Sequence, residues 1–286
     1  MNAKKPRCEE HRAATGSGPK LYIYYLKGRL DPGTRFEAGR FLGNWEEDEF
    51  SFLFFSEPST PAVESLTAVQ PQLELLDQFQ MTYAEWLGEE PRVFEAGGLR
   101  IVPPWLADDR VASRPHILLD PGLVFGTGTH PTTHDCLQAL QHLFDRFRPT
   151  TTLDLGTGTG LLALAAAALG SRRTLAVDLN ALAVETAQRN ICRNQMEDRV
   201  LALRARAEFG IELAAELVVA NIHHDVMVEL LIRPGFLQKR WCILSGLMTG
   251  EVRDIIARLD RMPVRLWRRW SRDGIWHTLL GEILQE

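Results

Sequence analysis

The sequence predicts an α/β fold with a mainly parallel sheet that carries helices on both faces, joined to a small N-terminal α/β domain. From about residue 107 onward, short apolar runs typical of strands alternate with longer helical patterns. Such alternation is characteristic of parallel sheets. At residues 153–162 a glycine-rich turn stands between a buried strand and an alanine- and leucine-rich helix. Open α/β sheets make room for a nucleoside in this way.

Composition and turn signals divide the chain into four stretches. Residues 1–19 have no apolar core segment, and prolines interrupt regular structure at the start of the stretch that follows residue 60. We therefore predict a flexible tail over residues 1–19, the small α/β domain over 20–60, a linker helix and hairpin over 61–106, and the main domain over 107–286.

The small domain is predicted from two runs of β-forming residues, Leu21–Leu26 and Phe50–Phe55, with a short helix over Arg35–Leu42 between them. In the linker, the pattern from about Gln72 to Leu87 indicates a helix. The next stretch predicts a hairpin that turns at Gly97-Gly98, because paired glycines favour the tight turn between two strands.

The main domain begins its regular alternation with the strand Thr152–Leu155 and closes with an antiparallel pair. Its other predicted elements are, in chain order, the helix Leu161–Leu169, the strand Thr174–Asp178, the helix Ala181–Asn194, the strands Leu217–Asn221 and Trp241–Ser245, the helix Glu251–Leu259, and the closing strands Arg265–Trp270 and Ile275–Ile283.

Composition is that of an ordinary soluble globular protein. The 286 residues are 45% hydrophobic and 24% charged, with a net charge of −5, which disfavours a domain built mainly to hold nucleic acid. The four cysteines are scattered without a CxxC pair, which argues against a zinc site or a disulfide framework and fits a cytoplasmic protein. No apolar stretch approaches the ~20 residues of a membrane span. The oligomeric state stays open.

Three glycines, Gly156, Gly158 and Gly160, follow the strand that contains Asp154. Glycine allows a sharp turn and a close approach of ligand to backbone. A dinucleotide fingerprint has its third glycine one residue later, where this chain has Leu161. The acid before the loop disfavours an anionic pyrophosphate, whereas a cationic sulfonium and an amino group tolerate it. The spacing therefore indicates S-adenosylmethionine rather than a dinucleotide, with Asp154 and the three glycines at the cofactor.

Polar residues end two further strands on the same rim. Asp178 lies 24 residues beyond Asp154, where an acid accepts hydrogen bonds from both ribose hydroxyls; the alternative is a cap for the next helix. We expect Asn221 to orient a substrate amine or to hold the amino-acid end of the cofactor. His223 and His224 follow it, but adjacent strand residues point to opposite sides and no third ligand accompanies them, so no metal site is predicted.

The segment Phe125-Gly126-Thr127-Gly128-Thr129-His130-Pro131-Thr132-Thr133 is the most distinctive motif. We predict that Phe125 covers one face of the cofactor and that the Thr127 hydroxyl lies beside it. Thr133 is expected to bond the cofactor carboxylate, next to the positive end of a helix that starts near His134. His130 is either a structural hydrogen-bonding residue or a substrate-side group.

These motifs together closely resemble the PrmA family, which methylates protein eleven of the large ribosomal subunit in bacteria. The resemblance rests on Asp120–Thr133, Leu153–Gly160, Asp178 and Ala220–Ile222, and it covers Arg92 to about Ile283. It implies a class I methyltransferase domain with a Rossmann-like, seven-stranded, mainly parallel sheet, preceded by a small substrate-recognition domain and a linker. S-adenosyl-L-methionine is the implied cofactor, and a ribosomal protein is the implied partner.

By the same resemblance, Thr133, Gly156, Asp178 and Asn221 match positions that contact the cofactor. The implied reaction is methyl transfer to a lysine or an N-terminal amine, with Asn221 positioning the reactants. No general base is identified, and His223 and His224 are the candidates. The chain departs from the family here, since small or apolar residues usually follow Asn-Ile, and its N-terminal unit is shorter than the family pattern.

Other functions stay open. A nucleic-acid methyltransferase usually has prolines and an aromatic residue after the Asn or Asp, where this chain has Ile222-His223-His224. A small-molecule substrate and a non-catalytic cofactor-binding module are the remaining alternatives. The arginines around Trp267 and Trp270 are interpreted as a solvated strand face with arginine–tryptophan stacking rather than an RNA surface. Nucleic-acid contact is therefore expected to be at most indirect, and no membrane contact is expected.

Overall fold

The computed structural model describes residues 20–31, 33–36, 40–88, 90–107, 116–124 and 126–285. The described residues divide into two compact units. The first unit contains the described residues up to Pro91. Its end therefore lies further along the chain than residue 60, where we predicted the small domain to end. The other contains those from Arg92 onward, apart from Asn180–Leu182.

The first unit is a four-stranded antiparallel sheet with a helix against one face. Side chains from two central strands and from the first helix share one apolar core, which includes Tyr24, Leu53, Phe55, Val63 and Leu66. The elements are β1 (Lys20–Lys27), β2 (Phe41–Glu47), β3 (Phe50–Phe55), α1 (Thr60–Val69), β4 (Glu74–Thr82) and α2 (Tyr83–Leu87), and the strand order is β2-β3-β1-β4.

The predicted helix from Gln72 to Leu87 is wrong over most of its length, because Glu74–Thr82 is the edge strand β4. Glutamine, leucine and glutamate favour helices in isolation, but β4 pairs with β1 along its whole length. Only α2 is helical, and it begins at a capping box between Thr82 and Glu85. The helix predicted over Arg35–Leu42 is also wrong at its end, where Phe41 begins β2; residues 37–39 lie outside the described ranges.

The second unit begins with a small three-stranded sheet of β5 (Phe94–Ala96), β6 (Leu99–Val102) and β7 (His116–Leu118), with a 3-10 helix at Pro104–Leu106. The predicted hairpin is confirmed, since β5 and β6 are antiparallel. They turn at Gly97 and Gly98, which both have positive φ.

The main sheet of the second unit has seven strands in the order β10-β9-β8-β11-β12-β14-β13. The first five strands of this order run parallel, and the last two pair antiparallel. The predicted mainly parallel sheet with an antiparallel C-terminal pair is therefore confirmed. The strands are β8 (Thr151–Leu155), β9 (Arg173–Asp178), β10 (Val200–Arg204), β11 (Leu217–Asn221), β12 (Trp241–Met248), β13 (Val264–Arg272) and β14 (Trp276–Ile283).

Helices bury both faces of this sheet. Val219 belongs to the core that includes Leu140 and Ala165, whereas its neighbour Val218 belongs to the core that includes Met227 and Ile255; alternate side chains of a strand point to opposite faces. The helices are α3 (Pro131–Phe144), α4 (Leu161–Leu169), α5 (Ala181–Arg193), α6 (Ala207–Gly210), α7 (His224–Leu231), α8 (Pro234–Leu237) and α9 (Thr249–Leu259).

In the described part of the chain, no helix combines the length and apolar character that crossing a membrane requires.

Arginines and tryptophans contact each other along β13. The Arg265 guanidinium lies 5.2 Å from the centroid of the Trp267 ring, and the Arg268 guanidinium lies 5.0 Å from the centroid of the Trp270 ring. Arg265 also pairs with Glu282. These contacts agree with arginine–tryptophan stacking on a strand face.

Candidate functional site

The central strand β8 lies between β9 and β11, and all three run parallel. Their carboxyl ends therefore open on the same edge of the sheet, which is where open α/β sheets bind ligands. The residues at these ends are Gly156 after β8, Asp178 at the end of β9 and Asn221 at the end of β11. The structure thus gathers at one rim the residues that the sequence singled out.

The glycine loop has a conformation that other residues rarely adopt. Gly156, Gly158 and Gly160 have φ of +71°, +54° and +84°. The N–H groups of Gly156 and Thr157 both donate to the carbonyl of Val177, at 2.9 and 3.0 Å. A Cβ on Gly156 would lie only 2.4 Å from Cγ2 of Ile222. Positive φ and close packing both require glycine at this turn.

Replacing Gly160 with alanine should lower the free energy of unfolding by about 2 kcal/mol, because a left-handed conformation is costly for an L-residue. The added Cβ would also lie 3.1 Å from Cβ and 3.2 Å from Cα of Ala187. Urea unfolding measures the loss. The matched control is Gly250→Ala, where nothing lies within 4 Å of the added Cβ, and stability should stay equal or rise by up to about 1 kcal/mol. Equal stability of the Gly160 variant and the wild type would contradict the expectation that alanine is strained at this position.

The Asp178 carboxylate fastens the glycine loop to the end of β9. Its Oδ2 accepts a hydrogen bond from the Gly158 N–H at 2.9 Å. The residue is half-buried at the rim. Asp178 therefore bonds the loop rather than only capping the following helix.

Asp154 is almost completely buried, with 1% of its surface exposed. Its Oδ2 accepts hydrogen bonds from Oγ1 of Thr157 at 2.5 Å and from the Ala163 N–H at 3.1 Å. Within the described residues, Oδ1 has no hydrogen-bond partner. Burial is the main reason that the pKa of Asp154 rises to about 7, against the hydrogen bonds from Thr157 and Ala163, which lower it. This environment suits a ligand that brings positive charge or hydrogen-bond donors.

Asp154 should make the protein less stable as pH rises from about 4 to 7. Its ordinary pKa is 3.8 and its folded pKa is about 7, so the folded state holds the proton more tightly and stability falls by at most about 1.4 kcal/mol per pH unit between the two values. Asp154→Asn should remove this slope, since one amide oxygen can accept both hydrogen bonds. Urea unfolding of both proteins from pH 4 to 8 measures the difference, and parallel curves would argue against the raised pKa.

The threonine-rich segment before α3 packs against the glycine loop. The Gly126 carbonyl accepts a hydrogen bond from Oγ1 of Thr159 at 2.7 Å. Oγ1 of Thr127 lies 2.8 Å from Oγ1 of Thr129, so these hydroxyls bond each other beside the loop. Phe125, which we predicted to cover the cofactor, lies outside the described residues.

Helix α3 begins at Pro131, three residues before the predicted start near His134. His130 caps it, because Nδ1 contacts the Thr132 N–H at 3.4 Å and Thr132 Oγ1 at 2.7 Å. Of the two roles considered for His130, these contacts support the structural one. Thr133 lies in the first turn, and Nδ2 of Asn221 donates to its Oγ1 at 3.3 Å. The two predicted site residues therefore meet at the positive end of the helix.

Two asparagines of the helical region after β9 were missed as site residues. Asn190 is fully buried; its Nδ2 donates to the carbonyls of Asp120 and Thr159 at 2.8 and 2.9 Å, and its Oδ1 accepts from the Asp120 N–H at 3.0 Å. Asn194 exchanges two similar hydrogen bonds with the backbone of Leu118. The sequence signal is two amides four residues apart, which lie on one helix face. They join the glycine loop to the segment before α3.

The two histidines after Asn221 have different surroundings. Nδ1 of His224 lies 3.2 Å from Asp225 and Nε2 lies 2.9 Å from Asp254. Burial lowers the pKa of His224, but the hydrogen bonds that the ring donates to the two carboxylates, together with their negative charge, outweigh it, so the net shift of the pKa is upward. His223 is exposed at the start of α7. Among the described residues, no cluster of three or more His, Cys, Asp or Glu has a geometry that would hold a metal ion.

This sheet order, with a glycine loop after its central strand and an acid after the next, defines a class I methyltransferase. Residues 80–282 match the family model described as "Ribosomal protein L11 methyltransferase (PrmA)". The chain belongs to this family, and the predicted resemblance is confirmed.

Individual relatives agree with the family. Proteins named ribosomal protein L11 methyltransferase are 33% identical over 180 residues in a Cyanothece strain and 38% identical over 196 residues in Heliobacterium modesticaldum. These matches cover 61% and 65% of this chain, and the chain spans only 61% and 60% of those relatives' length. The crystal structure of ribosomal protein L11 methylase from Lactobacillus delbrueckii subsp. bulgaricus has a TM-score of 0.58 at 26% identity, over 68% of this chain and 99% of that one.

Proposed function

We propose that this protein transfers a methyl group from S-adenosyl-L-methionine to an amine of ribosomal protein L11, with a lysine as the favoured acceptor. The observation that carries this proposal is the meeting of the glycine loop, the Asp178 carboxylate and the Asn221–Thr133 pair at one edge of the sheet. Membership of the L11 methyltransferase family supports both the reaction and the substrate. A ribosomal substrate also supports a cytoplasmic location.

The residues present fit S-adenosylmethionine. The buried Oδ1 of Asp154 lacks a partner within the described residues, and a cationic ligand would favour the charged form of this carboxyl, whereas a pyrophosphate would disfavour it. The Asp178 carboxylate, which accepts from the Gly158 N–H, would also accept hydrogen bonds from the ribose. Thr133 and the N-terminus of α3 suit the cofactor carboxylate. Gly156, Gly158 and Gly160 allow the turn with positive φ that brings the loop backbone to this edge of the sheet.

When bound, S-adenosylmethionine supplies a methyl group that its sulfonium already activates. The protein then has to align the acceptor nitrogen with that group, and alignment alone can contribute several kcal/mol. The acceptor must also be neutral, which costs about 4.6 kcal/mol for a lysine of ordinary pKa 10.4 at pH 7. A partly dry rim lowers this cost by disfavouring the ammonium. We assign Asn221 to the positioning of the amine.

Incubation with labelled S-adenosylmethionine and ribosomes from a bacterial strain that lacks its own L11 methyltransferase tests this function. Label in L11 alone supports the proposal. Label in ribosomal RNA would instead indicate a nucleic-acid methyltransferase. Absence of label in ribosomes and in free L11, despite measurable cofactor binding, would indicate another substrate or a non-catalytic binding module. Ribosomes without the protein are the control.

A further inference from the structure

The structure separates the two histidines that are candidates for a general base. Both nitrogens of His224 face carboxylates, Asp225 on one side and Asp254 on the other. Asp254 also accepts from Nε of Arg258 at 2.8 Å, and Glu251 adds further negative charge near the ring. These groups of α7 and α9 stabilise the protonated ring of His224. Its nitrogens are therefore committed to a link between the two helices and not to a substrate.

His223 has the opposite character. It is exposed, and as the N-cap residue of α7 it forms no side-chain hydrogen bond to the start of that helix. His223 comes two residues after Asn221, the last residue of β11, and directly precedes α7. The intervening Ile222 packs toward Gly156. His223 therefore lies at the same edge of the sheet as the Asn221–Thr133 pair, and its exposed imidazole is accessible to a substrate there.

We propose that His223 accepts the proton that the substrate ammonium must lose before methyl transfer, an inference that rests on the proposed function. At pH 7 only about one lysine in 2,500 is neutral, from its ordinary pKa of about 10.4. An N–H bond of the ammonium breaks, its electron pair stays on the substrate nitrogen, and the proton moves to the lone pair of a His223 ring nitrogen and then to water. Imidazole is the side chain best suited to exchange protons near neutral pH.

The test measures methyl transfer to L11 from pH 6 to 10 with the wild type, His223→Ala and His224→Gln. His223→Ala should be about 100-fold slower at pH 7, and the difference should shrink toward pH 10, where lysine loses its proton unaided. Added imidazole should restore part of the rate at pH 7. His224→Gln, the matched control, should keep the shape of the wild-type profile.

Two measurements separate this role from a structural one. Calorimetry should give the same S-adenosylhomocysteine affinity, within about two-fold, for the wild type and His223→Ala. In nuclear magnetic resonance of the S-adenosylhomocysteine complex, the His223 ring signal, identified by its loss in the alanine variant, should shift when L11 binds. An unshifted signal would place the ring away from the substrate and overturn the proposal.

The remaining outcomes are equally decisive. A wild-type pH profile in His223→Ala overturns the role of His223 and leaves the proposed function intact. A rate loss that is equal at every pH and is not restored by imidazole also overturns it, since that pattern indicates positioning alone. Absence of methyl transfer to L11 by the wild type, with normal S-adenosylhomocysteine binding, overturns the proposed function and this inference together.

Discussion

Asp178→Ala is expected to weaken the binding of S-adenosylmethionine by roughly 10- to 100-fold, because hydrogen bonds to a charged group contribute about 1.5–3 kcal/mol. The substitution removes the proposed ribose acceptor. It also removes the hydrogen bond at 2.9 Å that fixes the Gly158 N–H, so the loop loses part of its preorganisation. Titration calorimetry with S-adenosylmethionine gives the two dissociation constants directly.

Asp198→Ala is the matched control for Asp178, since its side chain is 79% exposed and lies 4.0 Å from Arg199. An exposed ion pair at this distance contributes little to stability. The Asp198→Ala protein should therefore bind S-adenosylmethionine with the affinity of the wild type. Circular dichroism and thermal unfolding establish that both variants fold. Wild-type affinity in a folded Asp178→Ala protein would remove the proposed contact with the ribose.

Asn190→Ala is expected to lower the free energy of unfolding by about 3 kcal/mol, because each polar group that loses its partner on burial costs about 1–3 kcal/mol. Three backbone groups lose their partner at once: the carbonyls of Asp120 and Thr159 and the N–H of Asp120. Since these hydrogen bonds join the glycine loop to the segment before α3, the affinity for S-adenosylmethionine should fall as well. Urea unfolding measures the loss of stability.

Gln188→Ala is the matched control for Asn190, because Gln188 is exposed on the same helix. Substitutions at such surface positions usually change stability by less than about 0.5 kcal/mol. If the two alanine variants unfold at the same urea concentration, the hydrogen bonds of Asn190 do not stabilise the protein.

Much of the main domain was predictable because its signals are local. A glycine loop between a buried strand and a helix appears within ten residues of sequence, and alternating βα units place Asp178 and Asn221 at the same edge as that loop. The sheet and its antiparallel C-terminal pair are confirmed. The cofactor roles of Thr127, Thr133 and the glycines stay predictions, although the structure places these residues around the rim.

The errors and omissions share a physical cause. Residues 74–82 have the composition of a helix, but hydrogen bonds to β1, more than 45 residues earlier in the chain, hold them as a strand. Asn190 resembles an ordinary helix residue until its contacts with Asp120, 70 residues away, are seen. Likewise, the carboxylate beside Nε2 of His224 belongs to Asp254, which is 30 residues further along the chain. The sequence near one member of such a pair does not reveal which distant residue is its partner.

The central strand β8 has one neighbour, β9, that follows it closely and another, β11, that begins at Leu217. During synthesis on the ribosome, the polypeptide must therefore extend beyond Asn221 before the middle of the sheet can close. A nascent chain that ends after α5 contains the glycine loop and Asp178 but lacks Asn221 and the strand that carries it. We therefore expect the proposed affinity for S-adenosylmethionine to appear late in translation, together with the closing of the sheet.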